Sequence, residues 1–181
     1  MITRRFCAGW MLAILLCIGA AQADNAIRVA GDVSSPTDWT ADQLKQQFAG
    51  EIKQIHFTSK GQPHVSDCVA LLSLLKAAGA PTDFKMTPGA DPKTKNLPLR
   101  LVVVVAGRDG YAVTFSLAEL LPQFGNKDVW LALDIDGNPL VEHDGPARLI
   151  VPDDVKPGRW VYAVTSVTVI DTSTTQPSSQ P

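Results

Sequence analysis

One stretch, residues 99–122 (LRLVVVVAGRDGYAVTFSLAELLP), constrains the fold of this chain most strongly. Leu99 to Ala106 is a run of mostly Val and Leu that is long enough for one strand. It is apolar on both faces, which is typical of a central strand of a sheet. Arg108-Asp109-Gly110 predicts a tight turn, because Gly adopts the positive φ that a hairpin needs. Tyr111 to Phe115 alternates apolar and polar residues and is predicted to be the returning strand.

Three helices are predicted where a capping residue precedes apolar residues at helical spacing. The predicted N-caps are Thr40, Ser66 or Asp67, and Ser116. Gln43 and Glu119 follow the first and third caps by three residues, which is the pattern of a capping box. The second helix is predicted over residues 68–78 and is apolar around most of its circumference. We therefore expect it to be packed on more than one side.

The remaining predicted elements are strands, since their apolar residues follow a strand pattern between turn residues. Their ranges are 26–33, 51–58, 129–135, 146–151 and 160–170. In the last range, Trp160 and Tyr162 alternate with smaller residues, and we interpret them as one face of a sheet. Residues 172–181 form a Ser/Thr/Gln/Pro tail with nothing to bury and are predicted to be disordered.

Length and charge limit the classes of function. The chain has 181 residues, of which 45% are hydrophobic, and this fits one globular domain, predicted over residues 24–171. The net charge is −2, without the clustered basic face that nucleic-acid binding needs. Nucleic acid is therefore not an expected partner.

The N-terminus has the pattern of a signal peptide over residues 1–23. Arg4 and Arg5 form a charged region, Phe6 to Ala20 is apolar, and Ala21-Gln22-Ala23 supplies small residues at a cleavage site. Cleavage is predicted after Ala23. The apolar stretch is short for a membrane span, so the processed chain is not expected to be transmembrane. The pattern predicts a periplasmic or secreted protein.

Cleavage at that site would leave Cys68 as the sole cysteine, because Cys7 and Cys17 precede it. A lone cysteine cannot close an internal disulfide. At a helix N-terminus it can be a thiol of lowered pKa, suited to redox chemistry or metal binding. It can equally be a small buried apolar residue at the start of an apolar helix.

Five motifs follow one another along the chain. They are VALLSLLKAAGAP (Val69 to Pro81), RDGYAVTFSLAELLP (Arg108 to Pro122), DGNPL (Asp136 to Leu140), GPARLIVPDD (Gly145 to Asp154) and RWVYAVTSVTV (Arg159 to Val169). In this order they resemble the molybdopterin-binding domain of the sulfite oxidase family, in its stand-alone exported form. The resemblance covers most of the chain after residue 23. It implies a single α+β domain, a compact mixed sheet with helices at its flanks.

The resemblance also implies a molybdopterin cofactor, with His143, Arg148 and Arg159 as the residues that would bind it. An Arg side chain matches the two oxygens of a phosphate, so an anionic ligand such as a pterin phosphate is a suitable partner. From the residues alone, these arginines can also be surface charges that pair with neighbouring acids such as Asp154. Both interpretations stay open at this point.

Active members of the family place a cysteine thiolate on molybdenum, shortly before the helix predicted near Cys68. The matching segment here, HFTSKGQP, contains Thr58 and Ser59 but no cysteine. A hydroxyl is a poor replacement for a soft thiolate ligand. We therefore predict no catalytic and no metal-ligating residue.

These observations support two hypotheses of function. In the first, the chain is a degenerate member of the family, an exported module that binds a small anion or a periplasmic or membrane protein without redox chemistry. In the second, it is an active periplasmic molybdopterin oxidoreductase that acts on a small oxyanion or a sulfoxide. The second hypothesis requires Cys68 to reach the metal, so the position of this thiol discriminates between them.

Overall fold

Two β-sheets, of five and four strands, form the framework of the molecule. The structure is a computed structural model that describes residues 25–84, 96–141 and 143–174. The strands of these residues are β1 (Ala26–Gly31), β2 (Thr37–Thr40), β3 (Lys53–Ser59), β4 (Gln62–Ala70), β5 (Leu101–Gly107), β6 (Ala112–Ser116), β7 (Trp130–Ala132), β8 (Asp134–Ile135), β9 (Asn138–Pro139), β10 (Arg148–Ile150) and β11 (Val164–Asp171). The helices are α1 (Ala41–Gln47), α2 (Leu71–Ala77), α3 (Leu97–Arg100) and α4 (Leu117–Leu120). The predicted α+β class with a mixed sheet is confirmed.

The larger sheet has the strand order β2-β1-β11-β5-β6. The pairing of β1 with β11 is parallel, and the other neighbours are antiparallel. Strand β5 lies inside this sheet, where Leu101, Val103 and Val105 are buried. Its partner β6 returns through the turn at Gly110, as predicted, with Val103 opposite Phe115.

The smaller sheet has the order β10-β7-β4-β3 and is strongly curled. In a flat sheet the two edge strands would lie about 14 Å apart, since neighbouring strands are about 4.8 Å apart. Here Arg148 on edge strand β10 donates a hydrogen bond of 3.2 Å to Ser59 at the end of edge strand β3. The curl therefore brings the side chains of both edges together in the interior.

The capping predictions had different outcomes. Thr40 caps α1, and the side chain of Gln43 bonds back to the Thr40 backbone, so this capping box is confirmed. Ser116 stands at the N-cap of α4 but makes no side-chain capping bond. The capping box predicted there is wrong, since Glu119 accepts a hydrogen bond from Arg159 instead.

The prediction of a helix over residues 68–78 is wrong at its start. Residues 62–70 form the nine-residue strand β4, and α2 begins only at Leu71, without a side-chain cap. Ser66 is not a cap but a buried strand residue, whose hydroxyl donates to the carbonyl of Asp134 at 2.7 Å. The Ser66 hydroxyl, which was predicted to cap the helix, thus makes a tertiary hydrogen bond instead.

Other boundaries differ from the prediction. Leu133 separates β7 from β8: its N–H still donates to the carbonyl of Asp67 of β4, but the N–H of Asp67 donates to the carboxylate of Asp134. The strand predicted over residues 160–170 begins only at Val164, so the interpretation of Trp160 and Tyr162 as a sheet face is wrong. In the predicted tail, Thr172–Thr174 is a 3-10 turn. The rest of that tail and the predicted signal peptide lie outside the described residues.

Packing of the two sheets and the helices produces one continuous apolar core. Its buried residues come from both sheets and from α1, α2 and α4, among them Leu44, Leu74, Phe115, Leu131 and Leu149. Within the described ranges, no helix has both the length and the apolar character needed to cross a membrane.

Candidate functional site

The most unusual polar group in the core is the guanidinium of Arg148. This residue is only 7% exposed and lies among three aromatic rings. Its Cζ atom is 4.0 Å from the ring centre of Tyr162, 5.5 Å from that of Trp160 and 6.0 Å from that of Phe57. Such cation–π contacts offset part of the cost of burying the charge.

The hydrogen bonds of Arg148 leave its charge without a counter-charge. Nη2 donates to the hydroxyl of Tyr162 at 2.7 Å and to Oγ of Ser59 at 3.2 Å. Nε is buried and has no hydrogen-bond partner. Among the described residues, no carboxylate forms a salt bridge with Arg148. A buried cation without an anion is costly, so this site is suited to a negatively charged ligand.

Three segments far apart in sequence build this site. Strand β10 carries Arg148, the end of β3 carries Phe57 and Ser59, and the segment before β11 carries Trp160 and Tyr162. Trp160 is fixed by a hydrogen bond from its indole N–H to the carbonyl of Val151 at 3.1 Å, and its ring packs edge-on against Phe57. Trp160 and Phe57 are therefore held in place beside Arg148.

Tyr162 also lines a solvent-accessible cleft of about 510 Å³. Its lining residues are Arg108, Asp109, His143, Tyr162 and Ala163. The side chain of His143 is 81% exposed, and its Nε2 is 3.6 Å from the carboxylate of Asp144. Tyr162 is thus shared between the buried Arg148 and the cleft that His143 lines.

Arg159 is not brought to this site. Its Nε and Nη2 donate to the two carboxylate oxygens of Asp154, at 2.8 and 2.7 Å, and Nη1 donates to Glu119 at 2.9 Å. These bonds raise the pKa of the guanidinium and lower that of Asp154, to which Lys127 adds a contact at 3.1 Å. Arg159 is already neutralised by two carboxylates, and its role in cofactor binding stays a prediction.

Cys68 has the character of a buried apolar residue. It is 0% exposed, and its Sγ donates to the carbonyl of Ser66. Burial raises the pKa of the thiol to about 12, so the thiolate is not formed at neutral pH. Of the two roles that the sequence left open, the geometry supports the structural one.

The register places Cys68 in the same row of the small sheet as Arg148. Cys68 pairs with Ala132, and Ala132 pairs with Arg148. The two residues are therefore separated by two strand spacings, or roughly 10 Å between Cα atoms. The hydroxyl that reaches Arg148 from the segment HFTSKGQP is that of Ser59.

A family model described as an oxidoreductase molybdopterin binding domain matches residues 18–178. This match covers well over half of the chain. The chain belongs to this family. A comparison with curated protein sequences gave no match.

The fold is also similar to that of a solved structure. The chain is similar to the sulfane dehydrogenase SoxCD from Paracoccus pantotrophus, with a TM-score of 0.55 and 20% sequence identity. The similarity covers 85% of this chain and 40% of that chain. The present sequence thus spans less than half the length of that relative, and at this identity the comparison shows the fold alone.

The described residues do not fit the metal end of a molybdopterin cofactor. Their sole thiol is Cys68, which is buried, protonated and bonded to a backbone carbonyl. No group of three or more metal-binding side chains occurs in the described ranges. Arg148, in contrast, fits an anionic group, because its buried Nε has no partner. The donor set thus favours an anion over a thiolate-bound metal.

The resemblance of the sequence pointed to Arg148 and His143 as cofactor-binding residues, and that role stays a prediction. The sequence did not indicate that Phe57, Ser59 and Tyr162 lie against Arg148. For Ser59, the sequence offered one indication, since it lies in the segment where active members of the family have a cysteine. Tyr162 carried no local signal, because its contact with Arg148 depends on the chain leaving the strand pattern before β11.

Proposed function

We propose that the chain is an anion-binding member of the molybdopterin-binding oxidoreductase family that carries out no redox chemistry of its own. The observation that carries this proposal is the buried guanidinium of Arg148, whose Nε lacks a partner and whose Nη2 is bonded to two neutral hydroxyls. A small anion at this position would supply the missing charge and accept the missing hydrogen bond.

We infer the location from the N-terminal pattern of the sequence. Arg4, Arg5 and the apolar residues that follow support export and cleavage after Ala23. We therefore place this binding site in the periplasm or outside the cell. The ligand is then a small anion that is present in that compartment. A protein partner that recognises the anion-bound form is compatible with this proposal.

The alternative is an active molybdopterin oxidoreductase that acts on a small oxyanion or sulfoxide. It requires a thiolate near Arg148, and Cys68 would have to supply it. The burial, raised pKa and hydrogen bond of Cys68 argue against that role. Membership of the family is the observation that keeps this alternative under test.

The first experiment is to measure molybdenum by mass spectrometry, and pterin by the fluorescence of its oxidised form, on folded protein purified from its own cells. We expect neither. About one molybdenum per chain would overturn the proposal and make Cys68→Ala the next test of ligation.

The second experiment measures the binding of sulfate and inorganic phosphate by calorimetry at constant ionic strength. We expect Arg148→Met to abolish binding. The matched control is Arg28→Met, which removes an exposed arginine whose contact with Asp38 is 3.8 Å long. An equal effect of both variants would mean that the binding is nonspecific and would contradict the proposal.

A further inference from the structure

We propose that Tyr162 is a gate for an oxyanion site on Arg148, because its phenol occupies the edge of the guanidinium that a carboxylate, phosphate or sulfate would take. This inference rests on the proposed function and names its ligand class and the residue that controls access. Two partly buried arginines of this chain, Arg100 and Arg159, use the same edge of the guanidinium to bind a carboxylate.

Arg100 and Arg159 both present the Nε and Nη2 edge to a carboxylate. Arg159 Nε and Nη2 bind the two oxygens of Asp154. Arg100 Nε is 3.0 Å from both oxygens of Asp171, and its Nη2 is 2.9 Å from one of them. This two-point geometry is the strong form of arginine–oxyanion recognition.

On Arg148 the same edge is not matched by an oxyanion. Nη2 is bonded to the hydroxyls of Tyr162 and Ser59, and Nε has no partner. The two hydroxyls, of which that of Tyr162 is the nearer, therefore satisfy the Nη2 half of a two-point donor and leave the Nε half unsatisfied. An oxyanion supplies two charged acceptors in place of one neutral acceptor, so it has the advantage over the phenol for this edge.

Tyr162 is also the aromatic residue of the site that is free to move. Phe57 and Trp160 are 7% and 8% exposed and pack against each other with ring centres 5.5 Å apart. Tyr162 is 39% exposed, so rotating its ring outward uncovers less buried surface than moving Phe57 or Trp160 would. The cleft that it lines has room for the displaced ring.

The backbone around Tyr162 is held in place on both sides. Val161 exchanges two backbone hydrogen bonds with Leu149, and Ala163 N–H donates to the carbonyl of Asp144. The carbonyl of Ala163 in turn accepts from the N–H of Arg108. With its neighbours fixed, the opening motion is a rotation of the Tyr162 side chain, and the loop itself does not move.

The chain contains two tyrosines, which makes the gate directly observable. Protein labelled with 3-fluorotyrosine gives one fluorine resonance for Tyr162 and one for Tyr111. The Tyr111→Phe variant assigns them. Tyr111 is the internal control, because its hydroxyl bonds to the carbonyl of Gly158 and does not contact Arg148. The probes are sulfate, inorganic phosphate and acetate, each added at constant ionic strength.

We expect the Tyr162 resonance to shift with saturation as an oxyanion is added, while the Tyr111 resonance stays unchanged. We also expect Tyr162→Phe to bind the oxyanion about tenfold more tightly, since the competing hydroxyl is gone. Tyr162→Phe keeps the ring, so packing is retained. Comparing acetate with the tetrahedral ions distinguishes a carboxylate ligand from a phosphate or sulfate ligand.

Three results would count against different claims. If oxyanions bind through Arg148 but Tyr162→Phe weakens the binding, Tyr162 is a ligand donor, and the gate is wrong while the anion site stands. If neither the unchanged chain nor Tyr162→Phe binds any of the three probes, the anion site and the proposed function both fail. Saturable binding without a shift of the Tyr162 resonance also overturns the gate.

Discussion

Arg159 and Asp154 form a two-point ion pair, in which Nε and Nη2 of the guanidinium donate to separate carboxylate oxygens at 2.8 and 2.7 Å. Glu119 and Lys127 extend the pair into a four-residue cluster. The cluster joins the loop after β10 to helix α4 and to the segment before β7. Side-chain ion pairs therefore connect elements of the two sheets at a place where, in the described residues, no backbone hydrogen bonds between strands connect them.

We predict that Asp154→Asn lowers the free energy of unfolding by about 2 kcal/mol at pH 7, because it leaves Arg159 with one carboxylate in place of two. The pKa of Asp154 is lowered in the folded chain, chiefly by the Arg159 hydrogen bonds. Its contribution is therefore present above the unfolded value and is lost as the pH falls through the folded value. Urea denaturation at pH 7 and pH 3 measures this, with exposed Asp153→Asn as the control.

The thiol of Cys68 should be inert in the folded protein. Its pKa is raised from 9.0 to about 12 by burial, so reaction with a disulfide reagent at pH 8 is expected only after unfolding. The measurement is the release of the reagent's chromophore with and without urea. Rapid labelling of the folded chain would show a reactive thiol and would revive the enzyme hypothesis.

The same shift predicts a loss of stability at high pH. The unfolded chain loses the thiol proton near pH 9, whereas the folded chain retains it up to about pH 12. The free energy of unfolding therefore falls as the pH rises through this window. In Cys68→Ala the free energy of unfolding is expected to fall less steeply over this pH range. Equal slopes in the variant and the unchanged chain would contradict the raised pKa of the Cys68 thiol.

Asp171 is expected to make the chain acid-sensitive. Its pKa is lowered from 3.8 to about 2, first by the Arg100 hydrogen bond and then by the backbone N–H of Ser173. The stability that it adds is thus complete above pH 4 and is lost as the pH falls to about 2. Asp171→Asn is predicted to melt at a lower temperature than the unchanged chain at pH 6, and this difference is expected to shrink as the pH falls through about 2. A difference as large at pH 2 as at pH 6 would point to packing and away from charge.

Gly107 should control the position of Tyr162. A Cβ atom at Gly107 would stand 2.4 Å from the carbonyl oxygen of Tyr162 and 3.0 Å from a methyl of Val161. Gly107→Ala is therefore expected to push this segment away, to cost about 1–3 kcal/mol and to change the sulfate affinity. Gly158→Ala is the matched control, because nothing lies within 4 Å of its added Cβ. Equal stabilities of both variants would contradict the close approach.

Local signals predicted much of the larger sheet. The alternation around Gly110 gave the β5–β6 hairpin, and the spacing of Thr40 and Gln43 gave the start of α1 with its capping box. In both cases the residues that determine the structure are neighbours in sequence. Such patterns carry their own physical cause, and a single chain is enough to recognise them.

Polar residues with distant partners were not predictable in the same way. Ser66 has the composition of a helix cap, yet its hydroxyl bonds to the carbonyl of Asp134, 68 residues away. Arg148 bonds to Ser59, which is 89 residues away, and its burial could not be inferred from the surrounding sequence. Glu119 fitted a capping box but pairs with Arg159. Tertiary contacts override local preference at these positions.

The parallel pairing of β1 with β11 has a consequence for the time at which the sheet can form. Strand β11 lies between β1 and β5, so the first hairpin of the described chain has no place in the larger sheet until residues 164–171 are present. During synthesis, the apolar face of β1 and β2 therefore stays uncovered until nearly the whole chain has been made. In a chain truncated before residue 164, this hairpin would have no strand of the larger sheet to pair with. Its exposed apolar face would then be a binding surface for a chaperone that holds unfolded chains.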